Sequence, residues 1–151
     1  MTTKEKALEI IASAPSAVLT TINSDGYPES RALLNLRNAL QYPSLSKTIN
    51  QLGDGSILIF TTNTGSSKMS QIINDNRVSV YYCLSESFQG VWVSGDIELI
   101  SDPLEKATFW QPGWEIYYPL GKFDPDYAIL SLDPRRIRLY ENLSVNEWRS
   151  S

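Results

Sequence analysis

Histidine is absent from this chain, and cysteine occurs once. Without an imidazole one chain cannot build a Ser/His/Asp or Cys/His catalytic unit, and the commonest side chain for zinc or iron ligation is missing. The single cysteine, Cys83, excludes an intramolecular disulfide. It sits in the apolar run V-S-V-Y-Y-C-L, where a core thiol in a reducing compartment is the expectation. A basic excess is lacking too: thirteen Lys and Arg face seventeen Asp and Glu, for a net charge of −4. That balance argues against a general nucleic-acid or anionic-membrane surface and leaves room for a local basic pocket. No apolar run approaches the ~20 residues needed to cross a bilayer, and the opening T-T-K-E-K is unlike a secretory signal. A soluble, cytoplasmic protein is expected. Asp124 and Asp126 lie in D-P-D-Y, which reads as a turn into a strand and not as a metal site. For redox or group-transfer work, a bound cofactor is the expected source of the chemistry.

What is present suits a globular fold. With 151 residues and 42% hydrophobic side chains, the chain reads as a single domain, 1–151, with one real core. The stretch from Ile57 to Lys68, I-L-I-F-T-T-N-T-G-S-S-K, carries the most information. Four apolar residues in a row predict a strand covered on both faces. The hydroxyls of Thr61, Thr62, Ser66 and Ser67 and the ammonium of Lys68 then follow closely. A helix starting near Ser66 would add unpaired backbone amides, and the whole would suit a phosphate ester. The same residues also describe a plain turn that caps a helix and leaves Lys68 in solvent.

Along the rest of the chain, Lys4 to Ala12 predicts a short amphipathic helix with Ala7, Leu8 and Ile11 on one side. Ala17 to Asn23 and Glu29 to Leu36 predict a hairpin around Ser24-Asp25-Gly26. The connection from Arg37 to Gly55 offers only a short helical piece over Ser46 to Leu52. Ser67 to Ile73 predicts a helix, with strands at Val78 to Leu84 and Val91 to Ile100. Pro103 suits the first turn of a helix through Trp110, N-capped by Asp102. Ala128 to Leu132 and Arg136 to Tyr140 close the chain as strands. Six or seven antiparallel strands with three short helices favour a mainly β (α+β) closed or partly closed barrel over a parallel βαβ sheet.

Three blocks in this order, D-G-Y-P-E-S-R-A-L at 25–33, F-T-T-N-T-G-S-S-K at 60–68 and V-W-V-S-G-D-I-E-L-I at 91–100, resemble the FMN-binding split-barrel proteins related to pyridoxamine 5′-phosphate oxidase. The late run F-W-Q-P-G-W-E-I-Y-Y-P-L-G-K-F-D-P-D-Y is similar to the general stress protein branch. The resemblance covers about Ala17 to Tyr140 and implies a split β-barrel. It also implies that Thr61, Thr62, Ser67 and Lys68 hold the FMN phosphate and ribityl chain, with Ser66 as a further donor. The strand Arg31-Ala32-Leu33-Leu34 would lie beside the isoalloxazine ring, Arg31 reaching the phosphate or the pyrimidine edge. The residues alone equally allow Arg31 to pair with Glu29 at the surface.

The resemblance further implies a homodimer with flavin at the subunit interface, which suits the aromatic excess of Trp92, Trp110, Trp114, Tyr117 and Tyr118. Trp110 and Trp114 are the expected pocket-lining pair. The parent oxidase carries a late R-x-H motif, and Arg136-Ile137-Arg138 stands here instead. Gly90 occupies the place of an expected glutamine, with Gln89 one residue earlier. The implied function is therefore an FMN-dependent oxidoreductase acting by hydride exchange at flavin N5 with a small-molecule partner, without true pyridoxamine 5′-phosphate oxidase activity. The alternatives are a non-enzymatic flavin carrier or stress sensor, or a relative that binds a deazaflavin or haem, haem being weakened by the missing histidine.

Overall fold

The computed structural model of the chain describes residues 1–149. Among these, eight antiparallel strands form one strongly curled sheet, accompanied by short helices. The expected fold class stands: the sheet is a curled half-barrel, consistent with a split β-barrel. The strands are β1 (Ala17–Ile22), β2 (Pro28–Leu33), β3 (Leu58–Asn63), β4 (Arg77–Leu84), β5 (Gln89–Ile100), β6 (Tyr127–Leu132), β7 (Arg136–Glu141) and β8 (Ser144–Arg149). They run in the order β2-β1-β4-β5-β6-β3, with β7 paired to β5 and β8 paired to β7. The α-helices are α1 (Thr3–Ser13), α2 (Pro43–Asn50), α3 (Ser67–Asn74) and α4 (Pro103–Ala107). No helix among the described residues is long and apolar enough to cross a membrane.

The long strand β5 organises the curl. Along one edge it pairs with β4, while its other edge meets β7 through Ser94 and then β6 from Ile97. Gly95 stands at this fork. A Cβ there would lie 2.9 Å from Leu132 Cδ1 and 3.0 Å from the Asp133 carbonyl, so the glycine of V-W-V-S-G-D is required by the close approach of the β6–β7 turn. Inside the curl, Ala7, Ile10 and Ile11 of α1 pack on Leu19, Val80, Tyr82, Val91, Val93 and Leu139. Leu8 is packed at the margin of this cluster. A second cluster covers the outer side of β3 and β6 and gathers Leu36, Leu45, Ile49, Ile59, Phe109, Trp114, Tyr118, Tyr127 and Ile129. Leu58 and Phe60 enter the first cluster and Ile59 the second, which is why the run I-L-I-F is apolar without alternation.

Four local expectations change. β2 ends at Leu33, not Leu36, because the buried Asn35 amide donates to the Ile11 and Ala14 carbonyls at 2.7 and 2.9 Å and draws the chain to the end of α1. The helical piece in the 37–55 connection starts at Pro43 and ends at Asn50. That connection is anchored by Arg37, whose buried guanidinium donates to the carbonyls of Ile57 (2.7 Å) and Gly55 (2.8 Å) and to the Asn50 side chain. The helix expected through Trp110 stops at Ala107. The eighth strand, Ser144–Arg149, is an almost wholly exposed edge with no apolar alternation to announce it.

Candidate functional site

The path of strands ends at β2 on one side and β3 on the other. Each pairs along one edge only among the described residues, so its second edge retains unpaired backbone N–H and C=O groups. Between them lies a cavity of about 410 Å³, lined by Pro15, Ser16, Ala32–Leu34, Thr61–Asn63, Lys68, Tyr117 and Tyr118. That volume is within the range of small-ligand and cofactor sites. A larger depression of about 920 Å³ runs past Thr20, Ser79 and Trp92. Its one cation, Arg77, is held to Asp75 at 2.7 Å, so it offers an anion less than the split does.

The sequence builds the split site from both flanks. On β3 successive side chains face opposite ways. The Thr61 hydroxyl meets Tyr118 Oη at 2.8 Å and the Ala128 carbonyl at 3.2 Å, whereas the Thr62 hydroxyl accepts Lys68 Nζ at 2.8 Å. The loop to α3 is held by Asp126, whose carboxylate accepts Thr64 Oγ1 at 3.0 Å and the Asn63 side-chain amide. Ser66 is the N-cap residue of α3, yet its side chain makes no cap bond. Its hydroxyl is buried without a partner, alone in this among the side-chain polar atoms of the described residues.

On β2, Arg31 is half-buried. Its Nη1 donates to Thr21 Oγ1 at 2.6 Å and to the Glu29 carbonyl at 3.0 Å, and its Nη2 reaches Gln71 Oε1 at 3.3 Å. Neither Arg31 nor Lys68 forms an ion pair among the described residues. Burial lowers the Lys68 pKa from its ordinary 10.5, and the nearby positive charge of Arg31 lowers it further. Arg31 is itself lowered, first by burial. Two like charges near one another, with an orphan hydroxyl two residues before Lys68, form an arrangement that an anion would relieve.

The expected site residues fall into three groups. Ala32, Leu33, Leu34, Thr61, Thr62 and Lys68 line the cavity. Arg31, Ser66 and Ser67 are not part of the lining: Arg31 precedes Ala32 on β2, and Ser66 and Ser67 lead into Lys68 at the start of α3. Trp110 and Trp114 are elsewhere: they pack edge-on at 5.9 Å, Trp110 stands against Tyr127 at 5.2 Å, and Trp114 is buried in the second cluster. Their expected place in the cavity wall is taken by Tyr117 and Tyr118. Tyr118 backs onto Trp110 at 6.1 Å, and burial raises the pKa of its phenol, which stays protonated at neutral pH. Both tyrosines belong to the aromatic excess of the sequence, where no local feature singles them out. Pro15, Ser16, Asn63, Thr21 and Gln71 gave no signal.

The model of the family described as pyridoxamine 5′-phosphate oxidase matches residues 3–141 of this chain. The chain belongs to that family. Similar solved structures agree with the fold. A Clostridium acetobutylicum protein related to general stress protein 26 of B. subtilis is 26% identical, with a TM-score of 0.77 over 96% of this chain and 92% of that one. General stress protein 26 from Bacillus anthracis is 22% identical, with a TM-score of 0.75 over 99% of this chain and 100% of its own. A Nostoc punctiforme family member described as FMN binding is 22% identical, with a TM-score of 0.63 over 96% and 87% of the two chains. None of the curated proteins matches the chain. Within this fold, the split between β2 and β3 is the candidate functional site.

Proposed function

We propose that this protein binds FMN in the split between β2 and β3 and works as an FMN-dependent oxidoreductase on a small-molecule partner. The observation that carries the reading is the pair of unpaired cations, Arg31 and Lys68, beside the partnerless Ser66 hydroxyl. A phosphate dianion supplies the missing counter-charge and acceptors, with Thr62, Ser67 and the first amides of α3 as further donors. The free edges of β2 and β3 suit the N–H and C=O groups along one edge of a flat heterocycle, and Tyr117 and Tyr118 wall the cavity.

When bound, FMN supplies hydride exchange at its N5 atom. The chain's own residues bind and orient. Lys68 and Arg31 fix the phosphate, Leu33 and Leu34 offer apolar contact, and the Tyr118 phenol, bonded to Thr61, keeps the wall in place. Apart from Lys68, the titratable side chains lining the cavity are the two tyrosines, so the chemistry assigned here uses no side-chain carboxylate or imidazole.

The site is shared in a homodimer in this reading. The outer face of the β1-β4-β5-β7 region carries Val18, Tyr81, Trp92 and Arg138 in register and has no covering layer among the described residues. Tyr81 is 40% exposed there. A second copy of the chain is the proposed cover, and the cytoplasm is the proposed location, in keeping with the single unpaired thiol of Cys83. The test is the visible absorption spectrum of the purified protein, followed by titration of the stripped protein with FMN and with riboflavin. Flavin bands and a strong preference for FMN support the reading. A colourless protein indifferent to both refutes it, and bound flavin that no reductant can turn over leaves a carrier.

A further inference from the structure

Gln71 lies one turn beyond Lys68 on α3, on the same side of the helix. Its Oε1 accepts the Thr21 hydroxyl at 2.5 Å and Arg31 Nη2 at 3.3 Å, while its Nε2 donates to the Glu29 carboxylate at 2.8 Å. A carboxylate only accepts, so the amide has one orientation: its NH₂ faces Glu29 and its oxygen faces Thr21 and Arg31. Glu29 and Arg31 are two residues apart on β2, a spacing that puts both side chains on one face of the strand. The carboxylate is near enough to favour the charged guanidinium, yet no ion pair forms between them among the described residues. The Gln71 amide stands between the two. Thr21, fully buried, completes the ring by accepting Arg31 Nη1 at 2.6 Å.

We propose that Gln71 is a positioning residue that insulates Arg31 from Glu29, keeping the guanidinium unpaired and aimed so that the site prefers a phosphorylated ligand over its dephosphorylated form. Without the amide, Glu29 closes on Arg31 and takes the place of the ligand's phosphate. The inference rests on the reading of the split as a flavin-phosphate site. It goes further by assigning the preference for phosphate to a side chain outside the cavity wall.

Gln71→Met keeps the side-chain volume and removes every bond. FMN and riboflavin affinities are measured by flavin fluorescence for the wild type, Gln71→Met and the double variant Gln71→Met/Glu29→Gln. The single variant is expected to lose about tenfold in FMN affinity, the scale of one charge-assisted hydrogen bond, with riboflavin affinity unchanged. The double variant is expected to regain most of that loss, because the competing carboxylate is gone; a structural defect in α3 would not be repaired in this way. Equal losses for both flavins, or no recovery in the double variant, overturn the proposal. The ¹⁵N signal of Arg31 Nε supplies a flavin-free arm: it should move in Gln71→Met and return in the double variant, and an unmoved signal also overturns the proposal. A wild type without preference for FMN sinks the flavin-phosphate reading, and the Arg31 signal then decides the insulating role alone.

Discussion

Lys68→Met removes one positive charge and one donor from the split while keeping an unbranched apolar side chain. In the ligand-free protein the ammonium holds a single hydrogen bond, to Thr62 Oγ1 at 2.8 Å, and has burial and the Arg31 charge against it. Its removal is therefore expected to leave the fold intact and the stability unchanged or slightly raised. With FMN bound the same ammonium gains a charge-assisted bond to phosphate. Such bonds contribute about 1.5–3 kcal/mol, and a half-exposed position argues for the lower end, so FMN affinity should fall about ten- to thirtyfold. Riboflavin has no phosphate and should bind both proteins alike. The pH dependence carries a definite sign. The Lys68 pKa starts below 10.5 in the free protein and must rise beside a phosphate, so binding takes up a proton between the two values and affinity falls as pH rises through them. Titration calorimetry in two buffers of different ionisation enthalpy reads both the affinity and the proton count. An unchanged FMN affinity in Lys68→Met, or equal losses for both flavins, would refute the cradle.

Gly95→Ala forces a Cβ against the Asp133 carbonyl at 3.0 Å and Leu132 Cδ1 at 2.9 Å; a loss of about 1–3 kcal/mol is expected, read as a lower urea midpoint, and an unshifted midpoint would contradict the fork at β5. Tyr81→Glu puts a charge on the uncovered outer face and should move the sedimenting species from dimer toward monomer at micromolar concentration, whereas a monomeric wild type that still binds flavin would sink the shared-site model. Pyridoxamine 5′-phosphate with oxygen should give no efficient turnover, since Arg136-Ile137-Arg138 lacks the histidine of the parent motif; robust product formation would reverse that conclusion.

The run I-L-I-F-T-T-N-T-G-S-S-K was legible because two clusters bury β3 from both sides and because α3 starts at Ser67, just after Ser66 at its N-cap, where the hydroxyl-rich turn suggested. The hairpin was legible from its turn: Asn23 Oδ1 accepts the amides of Asp25 and Tyr27 at 3.0 and 2.9 Å, and Gly26 takes a φ of 85°. Features fixed by distant partners were not legible. Arg37 looks like any loop cation until the chain brings the carbonyls of Gly55 and Ile57 to it. Which aromatics face the cavity depends on the path after Pro112, where Gly113 turns the chain at a φ of 96°; that turn sends Trp114 into the core and leaves Tyr117 and Tyr118 at the wall. Gly90 has its own account in three dimensions: the Tyr81 phenol lies across it, so close that a Cβ would stand 2.1 Å from the hydroxyl.

At the split local and global preferences disagree, and the disagreement has a direction. Several cations elsewhere meet carboxylates: Arg77 meets Asp75 at 2.7 Å, Lys6 meets Glu141 at 3.2 Å and Arg136 meets Glu147. Beside the split, the nearest carboxylate, Glu29, bonds to the Gln71 amide and not to Arg31, while Asp126 bonds to the loop that leads to Lys68. A chain with seventeen acids to draw on thus leaves two mutually repelling cations without a carboxylate partner among the described residues, and a buried hydroxyl without any partner, at β2 and the start of α3. Such an arrangement lowers the stability of the ligand-free fold. In the proposed complex acceptors and negative charge arrive from outside and offset that penalty, and stabilisation by mass action would then tie the folded state to the ligand.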